Sequence, residues 1–199
     1  MFIAQTIYNE SSRVIVLSLI CKGESDMNLH TKRLLLVPLG PQYLISTHKY
    51  ASDLDSTKYM EHLPNTDIRE TENFLARVQA EWEKSNPAYY EFAILLNNEH
   101  IGAVSIYIDN DNMEGELGWI LSKQYWGYGY AVEAAREIIN VSVRKLKIRK
   151  FIAYCDSENN SSYRVMEKLG MKLCSKTHGR RNKNSNEDRE ELMYSLEIE

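Results

Sequence analysis

The sequence predicts an α+β fold, a mixed α/β domain built on a central, mostly antiparallel sheet with helices on both faces. Two observations lead there. Three β-rich runs, YEFAILL, HIGAVSIYI and EGELGWIL, are separated only by the polar turns Asn97-Asn98 and Asp109 to Asn112, the pattern of an antiparallel meander. After the meander the chain reads helix, strand, helix and two strands, an order that requires helices to cover the sheet.

Each element has a local reason. From Arg33 the run RLLLVPL reads as a strand, followed by Pro41 and a short helical stretch through Tyr43, Leu44 and His48. Between Thr66 and Lys84, the residues Ile68, Phe74, Leu75, Val78 and Trp82 recur at spacings of three, four and seven, which marks an amphipathic helix. Asn86-Pro87 ends it. AVEAAREIINVSVRKL is Ala- and Glu-rich with a helical period, KFIAYC is a strand, and NSSYRVMEKLG is a helix closed by Gly170. The strand MKLCSK, the basic loop HGRRNKNSNEDR and the strand LMYSLEI complete the chain.

Composition narrows the function. With 199 residues, 43% of them hydrophobic, and no repeat or linker, residues 27–199 read as a single domain that buries a core without metal or disulfide staples. A net charge of -4 supplies no basic stripe for nucleic acid. The run from His178 to Lys183 is followed at once by Glu187, Asp188, Glu190 and Glu191 and reads as a solvated turn. Cys21, Cys155 and Cys174 cannot all pair within one chain, and the histidines show neither HxxxH nor HExxH. A cytoplasmic protein without a metal site is therefore expected.

The first 26 residues differ from the rest. VIVLSLI is far shorter than the roughly 18 to 20 residues of a membrane span, so no membrane partner is expected. No Lys or Arg precedes Arg13, and no small-residue cleavage site follows the run. Two readings stand. Lys22-Gly23-Glu24 can be encoded by a purine-rich ribosome-binding sequence just before Met27, which would make residues 1–26 an N-terminal extension that is a translated leader. Alternatively, VIVLSLI is an N-terminal strand that joins the sheet.

The window from Glu116 to Ala131, ELGWILSKQYWGYGYA, carries the chemistry: a strand, a Gly-rich turn and a helix start. The glycines permit close backbone approach, and the free amides at the positive end of a helix favour an anion, here a phosphate. The same glycines would also serve a tight turn that binds nothing. Dinucleotide and Walker patterns are absent: there is no GxGxxG or GxxxxGK, and the strand before the turn belongs to a meander.

This window, the order of elements around it and the later stretch ENNSSYRVMEKLGM from Glu158 to Met171 resemble the GNAT superfamily of acetyl-CoA-dependent N-acetyltransferases. Within it they resemble the Rim-type branch, which acetylates N-terminal amines of ribosomal proteins. The resemblance runs from about Leu29 to Glu199, and WGYGYAVEA and NNSSYRVMEKLG are its most specific parts. It implies acetyl-CoA as cosubstrate and a phosphate-binding pattern Gln/Arg-x-x-Gly-x-Gly/Ala. Gln124-x-x-Gly127-x-Gly129 matches literally, but Trp126-x-x-Gly129-x-Ala131 is preferred because it places Ala131 in the first helical turn. In that register the pyrophosphate is expected on the amides of Gly127, Tyr128, Gly129, Tyr130, Ala131 and Val132. The pantetheine arm would add to Trp119, Ile120 and Leu121 like an extra strand.

Acetyl transfer needs a neutral amine, held partners, a stabilised oxyanion and a proton for the leaving thiolate. Glu116, in the family's ExGxxL context, is the candidate base, directly or through water. A salt-bridged strand glutamate is the alternative, and Glu114 reads as turn or edge. An amide near Trp119 or Ile120 would serve the oxyanion. Many family members place an acidic Tyr where this chain has Met166. The Rim-type branch implies Ser162 as the acid instead, with Asn159 as a CoA contact, although that spacing also suits an N-cap and a first-turn residue. Tyr163 does not match the register of the family's acid.

The expected partner is therefore an amine acceptor, a peptide N-terminus or a small molecule, and homodimer formation is left open. A non-catalytic acyl-CoA sensor on the same fold is the competing reading. The loop between the last two strands would border the acceptor, and Glu70, Glu72, Glu81 and Glu83 would attract a cationic one unless they form an ordinary polar helix face.

Overall fold

The computed structural model describes residues 27–111 and 113–199; both readings of residues 1–26 lie outside the described residues. One sheet contains β1 (Leu29–His30), β2 (Leu34–Pro38), β3 (Tyr89–Leu96), β4 (Glu99–Asp109), β5 (Glu114–Leu121), β6 (Lys150–Asp156), β7 (Lys172–Arg180) and β8 (Arg189–Glu197). Their spatial order is β1-β2-β3-β4-β5-β6-β8-β7, and every neighbouring pair is antiparallel except β5 with β6. The helices are α1 (Leu44–Ala51), α2 (Leu54–Thr57), α3 (Ile68–Trp82), α4 (Tyr130–Val141) and α5 (Asn160–Leu169).

The meander forms as expected, and its first turn uses Asn97 and Asn98 at φ 49° and 66°, the left-handed conformation that tight hairpins require. A capping box between Asp67 and Glu70 opens α3. Its last residue, Trp82, packs on Tyr90 and Phe92 at ring-centroid distances of 4.9 and 5.0 Å. In α4 the buried face is Ala131, Ala134, Ala135, Ile138 and Ile139, and its alanines let the helix approach the sheet closely. α5 stops at Gly170, which takes φ 90°.

Strand alternation assigns the faces. Glu91, Ser105, Tyr107, Glu116 and Gly118 share one face through consecutive cross-strand pairs. The α1 helix and the chain around Glu61 lie over it, because Tyr50 of α1 interacts electrostatically with Glu91, and Glu61 with Glu116. The opposite face holds Ile106, Leu117 and Phe151 and packs against α4 and α5.

Three local expectations shift. The two-residue β1 and the four-residue α2 carry too few residues for a periodic signal. The α4 helix ends at Val141 and relaxes into a wider π turn over Ser142–Leu146, closed by Lys147 at φ 62°. β7 extends through His178, Gly179 and Arg180, residues expected in the loop. Arg180 is drawn into the sheet by Glu191 and Glu61, so that only 8% of its side chain is exposed.

The parallel junction positions the site. β5 and β6 pair over only Glu114–Glu116 and Lys150–Ile152. Beyond that, Leu117 to Leu121 pair only with β4, and Ala153 to Asp156 only with β8. The sheet therefore splits into a wedge-shaped cleft, with α4 starting shortly after the open end of β5 and α5 shortly after that of β6.

Candidate active site

Among the described residues, the cleft wall offers main chain beyond the β5–β6 pairing. Ser122 N donates to Ile101 O, and the Ile120 carbonyl faces Gly102, so Gly118 and Ile120 spend their main-chain groups on β4. By alternation Trp119 and Leu121 direct theirs into the cleft. The Leu121 carbonyl is taken by the indole of Trp126, with Nε1 donating at 2.8 Å, which leaves the Trp119 amide and carbonyl and the Leu121 amide for an added strand. Of the two amides proposed for an oxyanion, Trp119 is the one that faces the open side. Ile120 lines this stretch by its side chain, and Leu121 is buried.

The end of α4 beyond this wall has the form an anion needs. Gly127 and Gly129 both adopt φ 82°, a region costly for other residues, and no atom lies within 4 Å of a Cβ placed on Gly127. Gly129 is the N-cap and provides no side chain to bond the first turn. The amides of Tyr130, Ala131 and Val132 thus lie at an uncapped helix end, and Ala131 is in the first turn, as the preferred register requires. Tyr128 stands 63% exposed and stacks on Tyr130 at 5.8 Å.

Arg33, which sequence reasoning passed over, braces this turn. Its Nε donates to Glu133 at 2.6 Å, its Nη1 donates to the Tyr128 carbonyl at 3.0 Å, and its guanidinium lies 4.5 Å from the Tyr130 ring centre. Thr31 also donates to Glu133 at 2.6 Å. Burial works against the charged form of Glu133, but the bonds from Thr31 and Arg33 outweigh it and hold its carboxyl below the ordinary range. Lys32, Arg33 and Arg136 line a groove of about 420 Å³ beside Gly129, together with Glu133 and Glu137. The Lys32-Arg33 pair just before a strand was the available signal.

On the other face, Glu116 stands at the last residue of the β5–β6 pairing, where the cleft opens. Partial burial raises its pKa, and Glu191, Glu114 and Glu61 raise it further. Glu114 is paired with Lys150 and Glu191 with Arg180, whereas Glu116 forms no ion pair among the described residues. Tyr154 and Tyr107, 36% and 42% exposed, flank it from β6 and β4.

Asn159 and Ser162 lie at the β6 side. Asn159 is the N-cap of α5, its Oδ1 accepting from Ser162 N at 3.1 Å. The Ser162 hydroxyl is within hydrogen-bonding reach of the Cys155 thiol, whose pKa burial pushes up to about 11. Met166 is fully buried. Just before the cap, Asp156 is inaccessible to solvent; burial opposes its charge, but Arg189 and Asn182 hold it ionised and fix the end of β6. Among the described residues, no three His, Cys, Asp or Glu side chains are grouped to hold a metal, and no helix is long and apolar enough to cross a membrane.

The split sheet, its open strand edge and the uncapped Gly-rich helix end form a cleft suited to an extended, phosphate-bearing ligand, with a carboxylate at the point of divergence. Residues 33–172 match the model of the acetyltransferase (GNAT) domain. The chain is 31% identical over 148 residues to the uncharacterized N-acetyltransferase YnaD of Bacillus subtilis, a match covering 73% of this chain and 83% of that protein. Its fold is similar to that of a GNAT-family acetyltransferase from Bacillus anthracis, with 28% identity, a TM-score of 0.74, and 86% and 98% of the two chains covered. RimL, a ribosomal L7/L12 alpha-N-protein acetyltransferase solved with coenzyme A, shares the fold at 18% identity, with a TM-score of 0.76 over 84% and 96% of the chains. The chain belongs to the GNAT family of acetyltransferases and is an acetyltransferase.

Proposed function

We propose that the protein moves an acetyl group directly from acetyl-CoA to the primary amine of a protein N-terminus or a small molecule. The observation that carries this reading is the free Trp119 main chain lying between the uncapped end of α4 and Glu116. Acetyl-CoA, once bound, supplies the activated acetyl thioester. The chain's own residues do the rest. The amides from Gly127 to Val132 hold the pyrophosphate, while Trp119 to Leu121 accept the pantetheine arm along the strand edge, with Trp126 holding the end of that edge in place. The Trp119 N–H serves as the donor to the developing oxyanion.

Glu116 removes a proton from the incoming ammonium, directly or through water. Its raised pKa brings it closer to neutrality, where a base is most effective. Ser162 returns a proton to the thiolate, and Asn159 holds the α5 turn that presents it. An acceptor of peptide type is supported by the likeness to RimL, and a cationic amine by the unpaired Glu116.

Release of free thiol from acetyl-CoA, measured with a panel of peptides, polyamines and aminoglycosides, tests the reading. Glu116→Gln should lower kcat at pH 7 by about 100-fold with CoA binding kept. CoA binding without thiol release for any amine would contradict the reading.

A further inference from the structure

One buried charge has no part in the scheme above. Glu91 stands in the middle of β3, 7% exposed, among residues that form the core of the sheet. A carboxylate in such a place costs stability unless it is paired or hydrogen-bonded, and an apolar side chain would pack there without that cost. Glu91 has no cationic partner among the described residues. It is instead held by two hydroxyls: Tyr107 Oη donates to its Oε1 at 3.0 Å, and Ser105 donates as well.

Both hydroxyls belong to residues of β4 whose cross-strand neighbours on β5 border the cleft. Tyr107 is the cross-strand neighbour of Glu116, and Ser105 that of Gly118. Gly118 keeps the Ser105 side open, since a Cβ there would lie 2.5 Å from Ser105 Oγ. Tyr107 thus stands between two carboxylates on one face, bonded to Glu91 and electrostatically coupled to Glu116. The other groups facing Glu91 are Tyr50 from α1 and Tyr89 from β3; Tyr89 is in turn near Glu81, Arg77 and Lys84.

We infer that Glu91 is a second proton-holding residue of the transfer reaction, receiving through Tyr107 the proton that Glu116 takes from the amine. This rests on the proposed function. The ammonium loses one proton to Glu116. Glu116 passes it through water to Tyr107 Oη while the hydroxyl's own proton moves to Glu91, which restores Glu116 as a carboxylate. The freed amine lone pair forms the C–N bond at the thioester carbonyl, and the C–S bond breaks. The second N–H proton balances the leaving thiolate, and Glu91 later returns its proton to water by the same route. Glu91 is a positioning residue for the proton and does not touch substrate. Burial pushes its pKa up to about 7 against the pull of the Tyr107 and Ser105 bonds, so both of its charge states are accessible near neutrality.

The test is the pH dependence of kcat and kcat/KM, by thiol release, for the wild type, Glu91→Gln and Tyr107→Phe. The wild type should show an acid limb that reports two ionisations. Glu91→Gln should reduce it to one and lower kcat at pH 7 about tenfold, with the KM for acetyl-CoA unchanged. Tyr107→Phe cuts the link and should reproduce the loss. Glu91→Asp should recover part of the limb. If Glu91→Gln fails to fold, Tyr107→Phe, altered at a half-exposed side chain, decides alone. Wild-type kcat and an unchanged limb in the variants would overturn the inference while leaving the proposed function standing; no thiol release by the wild type with any amine would overturn both.

Discussion

Two helices begin at the mouth of the same cleft, one after each diverging strand, and their N-termini are built in opposite ways. α4 starts at Gly129, at φ 82° and with no side-chain cap, after a second glycine in the same conformation. α5 starts at Asn159, whose side chain bonds the Ser162 amide at 3.1 Å. Every helix end has amides without intrahelical partners. α5 satisfies one of these from its own sequence, and the first turn of α4 has no side-chain cap. The capped end ties down a backbone amide, that of Ser162, and the uncapped end leaves its amides without a side-chain cap.

Changing the open end should have the larger effect. Gly129→Val forces a β-branched residue to φ 82° and puts its side chain towards Arg33, whose Nη2 is 3.7 Å from a Cβ at this position. Backbone strain of about 2 kcal/mol is expected, and CoA affinity should fall roughly 30-fold. Calorimetric titration with CoA checks this, and undiminished affinity would mean the turn is a packing feature only. Asn159→Ala should do the reverse. It removes a cap worth about 1 kcal/mol, read as a lower Tm, with CoA affinity little changed. A loss of affinity with Tm kept would assign Asn159 to the ligand.

The face of the sheet that carries Glu91 responds to pH, a smaller effect. Glu91 has a folded-state pKa of about 7, above the value of a free glutamate. Its folded form therefore binds more protons between the ordinary glutamate range and pH 7, so its contribution to stability is full at low pH and is lost as pH rises through about 7. The wild type should lose more Tm than Glu91→Gln between about pH 5 and 8. Parallel curves for the two proteins would show that Glu91 is not the source.

Much of this was legible in the residues. The phase of Trp126, Gly129 and Ala131 placed the start of α4, and Gly170 marked the end of α5, because helix caps are local. The meander was legible because Asn-rich turns and β-rich runs are local too. The split between β5 and β6 was not, since a parallel pair joined through α4 depends on long-range packing. For the same reason nothing in GRRNKN announced that Arg180 would enter the sheet to meet Glu191 and Glu61. Glu91 did leave a trace, a single carboxylate within the apolar run YEFAILL. Arg33 left a weaker one, because its partners Glu133 and Tyr128 are about a hundred residues away in the chain.

Amide hydrogen exchange with and without acetyl-CoA tests the contrast between the two helix ends most directly. Slower exchange is predicted at Trp119, Leu121 and Tyr130 to Val132 on addition of acetyl-CoA, with the first turn of α5 nearly unchanged. Protection concentrated at the start of α5, or none at α4 and β5 under saturating acetyl-CoA, would contradict it.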